Sequence, residues 1–289
     1  NFDYETLSKI NPKIVYASVS AYGPDAPDGH LPGTDAVGQA LSGIAEAYSI
    51  PGNNLRTGVA SVADESCAIL TFGGILAAYI NAQKTGKGQK LETSLVGSAF
   101  RLLGWTMTTA MWSKRPPITG ARINGTRERP GIAACFNDID GKPFALQLDP
   151  DDWQEAMKAL SFFDTLKENN LIDLGLAFES DDKKTEILNK LSELFSTDKR
   201  DNWISILRKA DMISTHVNTM LEASEDPNIK NNNYVTEVWY PELKKNMKVH
   251  GTPWKFSKTP AKIKRAPKLG EHNEELLSNL GYTNKEIKN

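Results

Sequence analysis

Residues 66–83 run for eighteen positions without a charge. Such a stretch must be covered, and this requirement constrains the fold more than anything else in the chain. Asp64 and Glu65 precede it and Thr85-Gly86-Lys87-Gly88 follows it, an acidic start and a glycine stop that read as the two ends of a helix. Its apolar heart, residues 67–80, falls short of the roughly 20 residues that cross a bilayer. The expectation is a helix buried on most sides within a folded domain. Gly73 and Gly74 inside it each cost about 1 kcal/mol relative to Ala. Either they pack closely against a neighbouring backbone or they tolerate a kink.

Around this helix the pattern alternates. The β-branched run at 14–19, bounded by Pro12 and by Gly23-Pro24, predicts a buried parallel strand. A Pro/Gly-rich loop follows at 23–33, then helical spacing over 35–48. Residues 90–93 predict a short strand and 94–111 a mostly apolar helix, on which Trp105, Met107 and Met111 have core spacing. Strands alternating with helices predict an α/β arrangement over a largely parallel sheet. Residues 113–130 hold Pro116, Pro117 and Pro130 with five basic residues, and read as a linker or loop. Beyond it the pattern predicts a strand at 144–148 and helices at 151–163, 182–195, 201–209 and 273–280.

Composition narrows the function classes. A length of 289 residues is comfortable for two domains. With 34 basic and 36 acidic side chains the net charge is −2, which gives no global attraction to nucleic acid or to an anionic membrane. Charge is uneven: 149–202 holds fourteen acidic against seven basic residues, and 242–268 nine basic against one acidic. The latter reads as a solvated face. Cys67 and Cys135 without a CxxC, and four histidines without an HxxxH, exclude a disulfide scaffold and predict no metal site. The start lacks the basic-then-apolar pattern of a signal peptide, so a cytoplasmic location is expected. Phe2, Tyr4 and Leu7 look like an amphipathic helix entered midway, and the chain is expected to be a fragment lacking an N-terminal part.

Asp64 is the carboxylate with most chemical promise. It lies in Arg56-Thr57-Gly58-Val59-Ala60-Ser61-Val62-Ala63-Asp64, where small residues turn into the helix. As an N-cap it would satisfy a free backbone N–H. As a nucleophile it would sit at the ligand-facing end of an α/β sheet, with helix amides free to stabilise a developing oxyanion.

The blocks NPKIVYASVSAYGP, PGTDAVGQALSG, RTGVASVAD and KTGKGQKLETSL, with the tail TPWKFSKTPAKIKRAPKLGEHNEELLSNLGY, resemble in order the class III (CaiB/BaiF-type, formyl-CoA-transferase-like) CoA-transferase family. The resemblance implies that Asp64 is the catalytic aspartate and that Ser20, Ala21, Tyr22 and Gly23 contact CoA. At the place of Ser20 many members carry a basic residue. Residues 124–130 correspond to a loop that covers the active site in some members, where Arg127 or Arg129 could meet a substrate carboxylate. The implied chemistry moves CoA from an acyl-CoA to a carboxylic acid through a covalent aspartyl intermediate. It uses no metal and no cofactor beyond the CoA thioester substrate. The implied fold is a Rossmann-like large domain with a mostly parallel sheet, 1–112 and 226–289, interrupted by a smaller α+β domain at 131–225, with 113–130 as linker and active-site loop. Full chains of the family begin with a further βα region that supplies part of the CoA site, and two chains form an interlocked homodimer. Partners expected are the acyl-CoA and the free acid, with neither nucleic acid nor membrane. Two alternatives stand beside this. The 2-methylacyl-CoA racemases of the same superfamily need an acid/base histidine where this chain has Thr34, and His30 in the preceding loop is a poor substitute. A non-catalytic acyl-CoA-binding fragment is the third reading.

Overall fold

In the computed structural model, which describes residues 2–48, 57, 60–114, 131–178 and 180–287, Asp3 opens helix α1 (Tyr4–Ile10) by accepting the Thr6 N–H at 2.8 Å. The helix thus begins inside the chain on its own cap, where the sequence pattern predicted one entered midway. The chain divides into two compact units, Asn1–Asn124 and Gly125–Asn289. Residues 226–289, expected to return to the large domain, fall within the second span.

In the first unit β1 (Val15–Ser20) pairs in parallel with β2 (Gln89–Ser94), from Val15 opposite Gln89 to Ser20 opposite Ser94. A parallel pair needs a crossover. Here it passes through α2 (Asp35–Ser42), α3 (Ile44–Ala47) and α4 (Val62–Thr85). After β2 come α5 (Leu95–Leu102) and α6 (Gly104–Ser113). Two helices predicted as continuous are therefore broken. Gly43 at φ +89° separates α2 from α3, and Gly104 at φ +50° opens α6, backbone conformations that glycine takes without a Cβ penalty.

Helix α4 corrects the sequence reading twice. It has 24 residues, and by length and composition alone it is long and apolar enough to cross a membrane, the one such helix among those described. It is also not buried on most sides. Its covered stripe is Ala63, Cys67, Thr71, Ala78 and Ala82, whereas Ile69, Phe72, Tyr79 and Ile80 are each more than half exposed. The reason is one-sided packing: α2, α5 and the two strands lie against only part of its circumference. A Cβ added to Gly74 would come within 2.8 Å of the Leu91 side chain, and one added to Gly73 would meet nothing within 4 Å. Only Gly74 has a packing reason, and its neighbour is a side chain instead of backbone. Trp105 and Met111, predicted as core, are 80% and 46% exposed.

The second unit is built on an antiparallel sheet in the order β3 (Ile132–Asn137), β4 (Pro143–Leu148), β5 (Ile213–His216). Helices α7 (Trp153–Ala159), α8 (Phe163–Glu168), α9 (Leu174–Ala177), α10 (Asp181–Phe195) and α11 (Arg200–Lys209) lie between β4 and β5 in sequence. Phe144, Trp153, Phe195 and Leu207 are fully buried. The indole N–H groups of buried Trp153 and Trp203 find carbonyls, those of Ile172 and Phe195, both at 2.9 Å. Buried Asp138 ties the β3–β4 turn to α11 by accepting backbone N–H groups from Lys142 at 2.7 Å and from Asp140 and Arg200 at 2.9 Å. Burial alone would push its carboxyl up; those N–H groups and the Arg200 charge outweigh this and hold it below the usual carboxylate range. Then follow α12 (Met220–Glu225), α13 (Pro227–Asn231), the hairpin β6 (Val235–Tyr240) with β7 (Lys245–His250), α14 (Asn273–Asn279) and α15 (Asn284–Ile287). The basic stretch 242–268 pairs part of its charge locally, Lys248 with Glu225, Arg265 with Glu271 and Lys268 with Glu242.

Candidate active site

The carboxyl end of the parallel pair gathers four segments of the first unit. Ser20 ends β1, and its Oγ accepts the Gly23 N–H at 3.0 Å, folding 20–23 into a turn. Gly23 takes φ +104° there. Ser94 ends β2 directly opposite Ser20, and its Oγ caps α5 by accepting the Gly97 N–H at 3.0 Å. The Ala21 carbonyl accepts the Val96 N–H at 3.0 Å, binding the two strand ends together. Gly33 crosses so near that an added Cβ would lie 2.4 Å from the Cβ of Ala21. Of the residues expected to contact CoA, Ser20, Ala21, Tyr22 and Gly23 therefore form one turn at this end, with Ala21 buried and Tyr22 half-buried. Arg127 and Arg129 lie outside the described residues.

Asp64 is in the first turn of α4, but it is not the N-cap. Ser61 occupies that position and makes no side-chain bond to the helix. Nor are the first-turn amides free, as the nucleophile reading expected. Val62 N–H goes to the Ala60 carbonyl at 2.7 Å and Glu65 N–H to the Ser61 carbonyl at 2.8 Å. Ala63 and Asp64 both donate to Asp35 Oδ1, at 2.8 and 3.3 Å. No local signal shows this, because the acceptor lies 28 residues upstream. The Asp64 carboxylate itself is exposed and has no hydrogen-bond or ion-pair partner among the described residues. It stands at one rim of a groove of about 300 Å³ whose other walls include Val19, Cys67, Thr71, Phe72 and Leu95. Cys67 is buried, its Sγ 3.8 Å from Thr71 Oγ1, as a packing role requires.

Two larger grooves, about 480 and 540 Å³, lie on the second unit and are open and ringed by charged side chains. In the first of these His216 Nε2 meets Asp201 Oδ1 at 2.5 Å, and that bond holds the Asp201 carboxyl low. They lack the features of the first unit's site, a carboxylate with no partner among the described residues beside the ends of parallel strands. Among the described residues no group of three or more His, Cys, Asp or Glu is placed to hold a metal ion.

Residues 1–273 match the family described as CoA-transferase family III. The chain belongs to that family. As a class III CoA-transferase it is an enzyme, and its relatives bear this out by name. It is 26% identical over 295 residues to a cinnamoyl-CoA:phenyllactate CoA-transferase of Clostridium sporogenes, covering 99% of this chain and 69% of that one. It is 25% identical over 308 residues to a formyl-CoA:oxalate CoA-transferase of Escherichia coli O157:H7, covering 99% and 72%. Among solved structures, a CaiB/BaiF family protein from Brucella suis matches with a TM-score of 0.81 at 22% identity, over 96% of this chain and 71% of that one. That likeness carries the mixed α/β fold. In this family III CoA-transferase, Asp64 and the 20–23 turn, the candidates the sequence offers, both lie in the first unit near the carboxyl ends of β1 and β2. The sequence pattern did not single out Asp35 and Gln39, which the structure brings to the start of α4, although Gln39 is a polar residue one turn after Asp35 on the same helix.

Proposed function

We propose that this enzyme transfers CoA from an acyl-CoA donor to a carboxylic acid acceptor with Asp64 as the nucleophile. The observation that carries the reading is the exposed Asp64 carboxylate, without a partner among the described residues, at the groove beside the carboxyl ends of β1 and β2. A carboxylate with its lone pairs unused can add to a thioester carbonyl without first breaking a bond of its own. In the proposed cycle, Asp64 attacks the acyl-CoA carbonyl, the C–S bond breaks, and a mixed anhydride and CoA thiolate form. The thiolate attacks the aspartyl carbonyl, releasing the donor acid and leaving an aspartyl-CoA thioester. The acceptor carboxylate displaces the thiolate to give a second anhydride, and thiolate attack on its acyl carbon yields the new acyl-CoA and restores Asp64. Anhydride and thioester are comparably activated, so no step lies deeply downhill.

The Ser20–Gly23 turn is the proposed CoA contact, and Arg127 the proposed partner of a substrate carboxylate. Thr34 N-caps α2 immediately before Asp35 and has no group that titrates near neutral pH, which favours transfer over racemisation. The apolar outer faces of α4 and α6 favour an assembled form, and a cytoplasmic homodimer with interlocked chains is the proposed one. Because relatives are named for phenyllactate and oxalate, aryl and short dicarboxylic acids are the acceptors proposed for a first trial.

Incubation of the full-length protein with acyl-CoA alone should leave an adduct, because the first half-reaction needs no acceptor. Hydroxylamine should convert it to an aspartyl hydroxamate, and peptide mass mapping should place the change on Asp64. Rapid turnover without an adduct and without hydroxylamine inactivation would indicate direct transfer in a ternary complex.

A further inference from the structure

Helix α4 borrows its cap. Asp35 begins α2, and its Oδ1 receives both the Ala63 and the Asp64 N–H. Its Oδ2 accepts from Gln39 Nε2 one turn further along α2, and the same Gln39 nitrogen lies 3.3 Å from the Ala60 carbonyl. Gln39 is 1% exposed and Ala63 fully buried. Between the two polar side chains Gly38 lets the helices meet: an added Cβ would stand 2.6 Å from the Cβ of Ala63 and 3.1 Å from that of Leu95. Residues 35, 38 and 39 share one face of α2. That face grips 60, 63 and 64, so the peptide that bears the nucleophile is held from outside its own helix.

We propose that Asp35 is the positioning residue for Asp64, which rests on the reading of Asp64 as nucleophile. The Asp35 carboxylate is spent on amide donors and is directed at the α4 backbone. Its contribution is to fix the Asp64 N–H, and through it the direction of the Cα–Cβ bond. From there only two torsions lead to the attacking oxygen, so a tilt of the first turn moves that oxygen by a comparable amount. A charged acceptor for two N–H groups at a helix start is a strong anchor. Attack geometry tolerates little displacement, and an error of about 1 Å costs on the order of 100-fold.

The test uses the full-length protein, with CoA exchange and the rate of adduct formation on Asp64 as readouts, at a temperature where circular dichroism shows each variant folded. Asp35→Ala should lower kcat and the adduct rate by roughly 100-fold, with the acyl-CoA KM unchanged. Asp35→Asn keeps an oxygen for the two N–H groups and should recover most of that rate. A purely structural cap would lower the melting temperature of Asp35→Ala and leave kcat per folded molecule at the wild-type value, which would overturn the proposal. If Asp35→Ala does not fold, Asp35→Glu decides, since its displaced carboxylate should cost kcat and leave KM; wild-type kcat in that variant also overturns it. Asp64→Ala separates the two readings: exchange that survives it removes Asp64 as nucleophile, whereas exchange lost in Asp64→Ala and intact in folded Asp35→Ala removes Asp35 alone.

Discussion

The two units bury different things. In the second, Phe195 lies 4.9 Å from Phe136, 5.0 Å from Phe144 and 5.6 Å from Trp203 between ring centroids, and large side chains fill the interior. In the first, Ala21, Ala63, Cys67, Ala78, Ala82 and Ala99 are buried with Gln39, Ser42, Ser94 and Ser98, and among its described residues Ile44 is the one large aliphatic that is buried. Its own large apolar groups, Phe72, Tyr79, Trp105 and Trp112 among them, point outward. Rings in a core supply stability through area and dispersion. Small residues supply less of it, but they let backbones approach until amides, carbonyls and short polar side chains from distant segments touch. The unit that carries the candidate site is built in the second way.

Five changes would break or sharpen that contrast. The largest effect should come from Asp64→Ala, which is expected to reduce CoA exchange by about 10⁴-fold or more and to leave the urea unfolding of the second unit unmoved. Next is Phe195→Ala, expected to destabilise the second unit by about 3–5 kcal/mol in chemical denaturation without slowing adduct formation by the folded fraction. A loss below about 1 kcal/mol would mean that the aromatic cluster does not carry that unit. Gly38→Ala should cost about 1–3 kcal/mol by overpacking and slow adduct formation as well. Gly73→Ala, in open space on α4, should be neutral or gain up to about 1 kcal/mol. Equal behaviour of the two glycines would contradict the close approach of α2 to α4. The smallest effect is the pH dependence of Asp138. Its carboxyl titrates below the usual range when folded, so its contribution is present above the unfolded-state value and lost as pH falls through the folded one. Asp138→Asn should therefore flatten the fall in the second unit's urea midpoint below about pH 4, while the wild type keeps it. An equally steep fall in the variant would assign the acid sensitivity to other carboxylates.

Much of the first unit was legible in the residues alone. Strand β1, the start and stop of α4, strand β2 and the family blocks are local patterns, each set by side chains a few positions apart. Asp64 could be singled out because a carboxylate where small residues turn into a helix is such a pattern. The breaks at Gly43 and Gly104 were not predicted, because glycine permits a left-handed backbone without requiring it. Nor were β3, β5 and the β6–β7 hairpin, whose pairing depends on partners elsewhere in the chain. The tertiary structure alone decided what holds the Asp64 peptide. Every helix start leaves N–H groups to be satisfied, and the chain around Ser61 gives the expected local answers, a cap or free amides. The actual acceptor is Asp35, brought within 2.8 Å of the Ala63 N–H because Gly38 has no side chain to keep α2 away from α4. The number of amides that need partners follows from local sequence, but which group reaches them depends on how distant segments pack, and sequence spacing does not encode that distance.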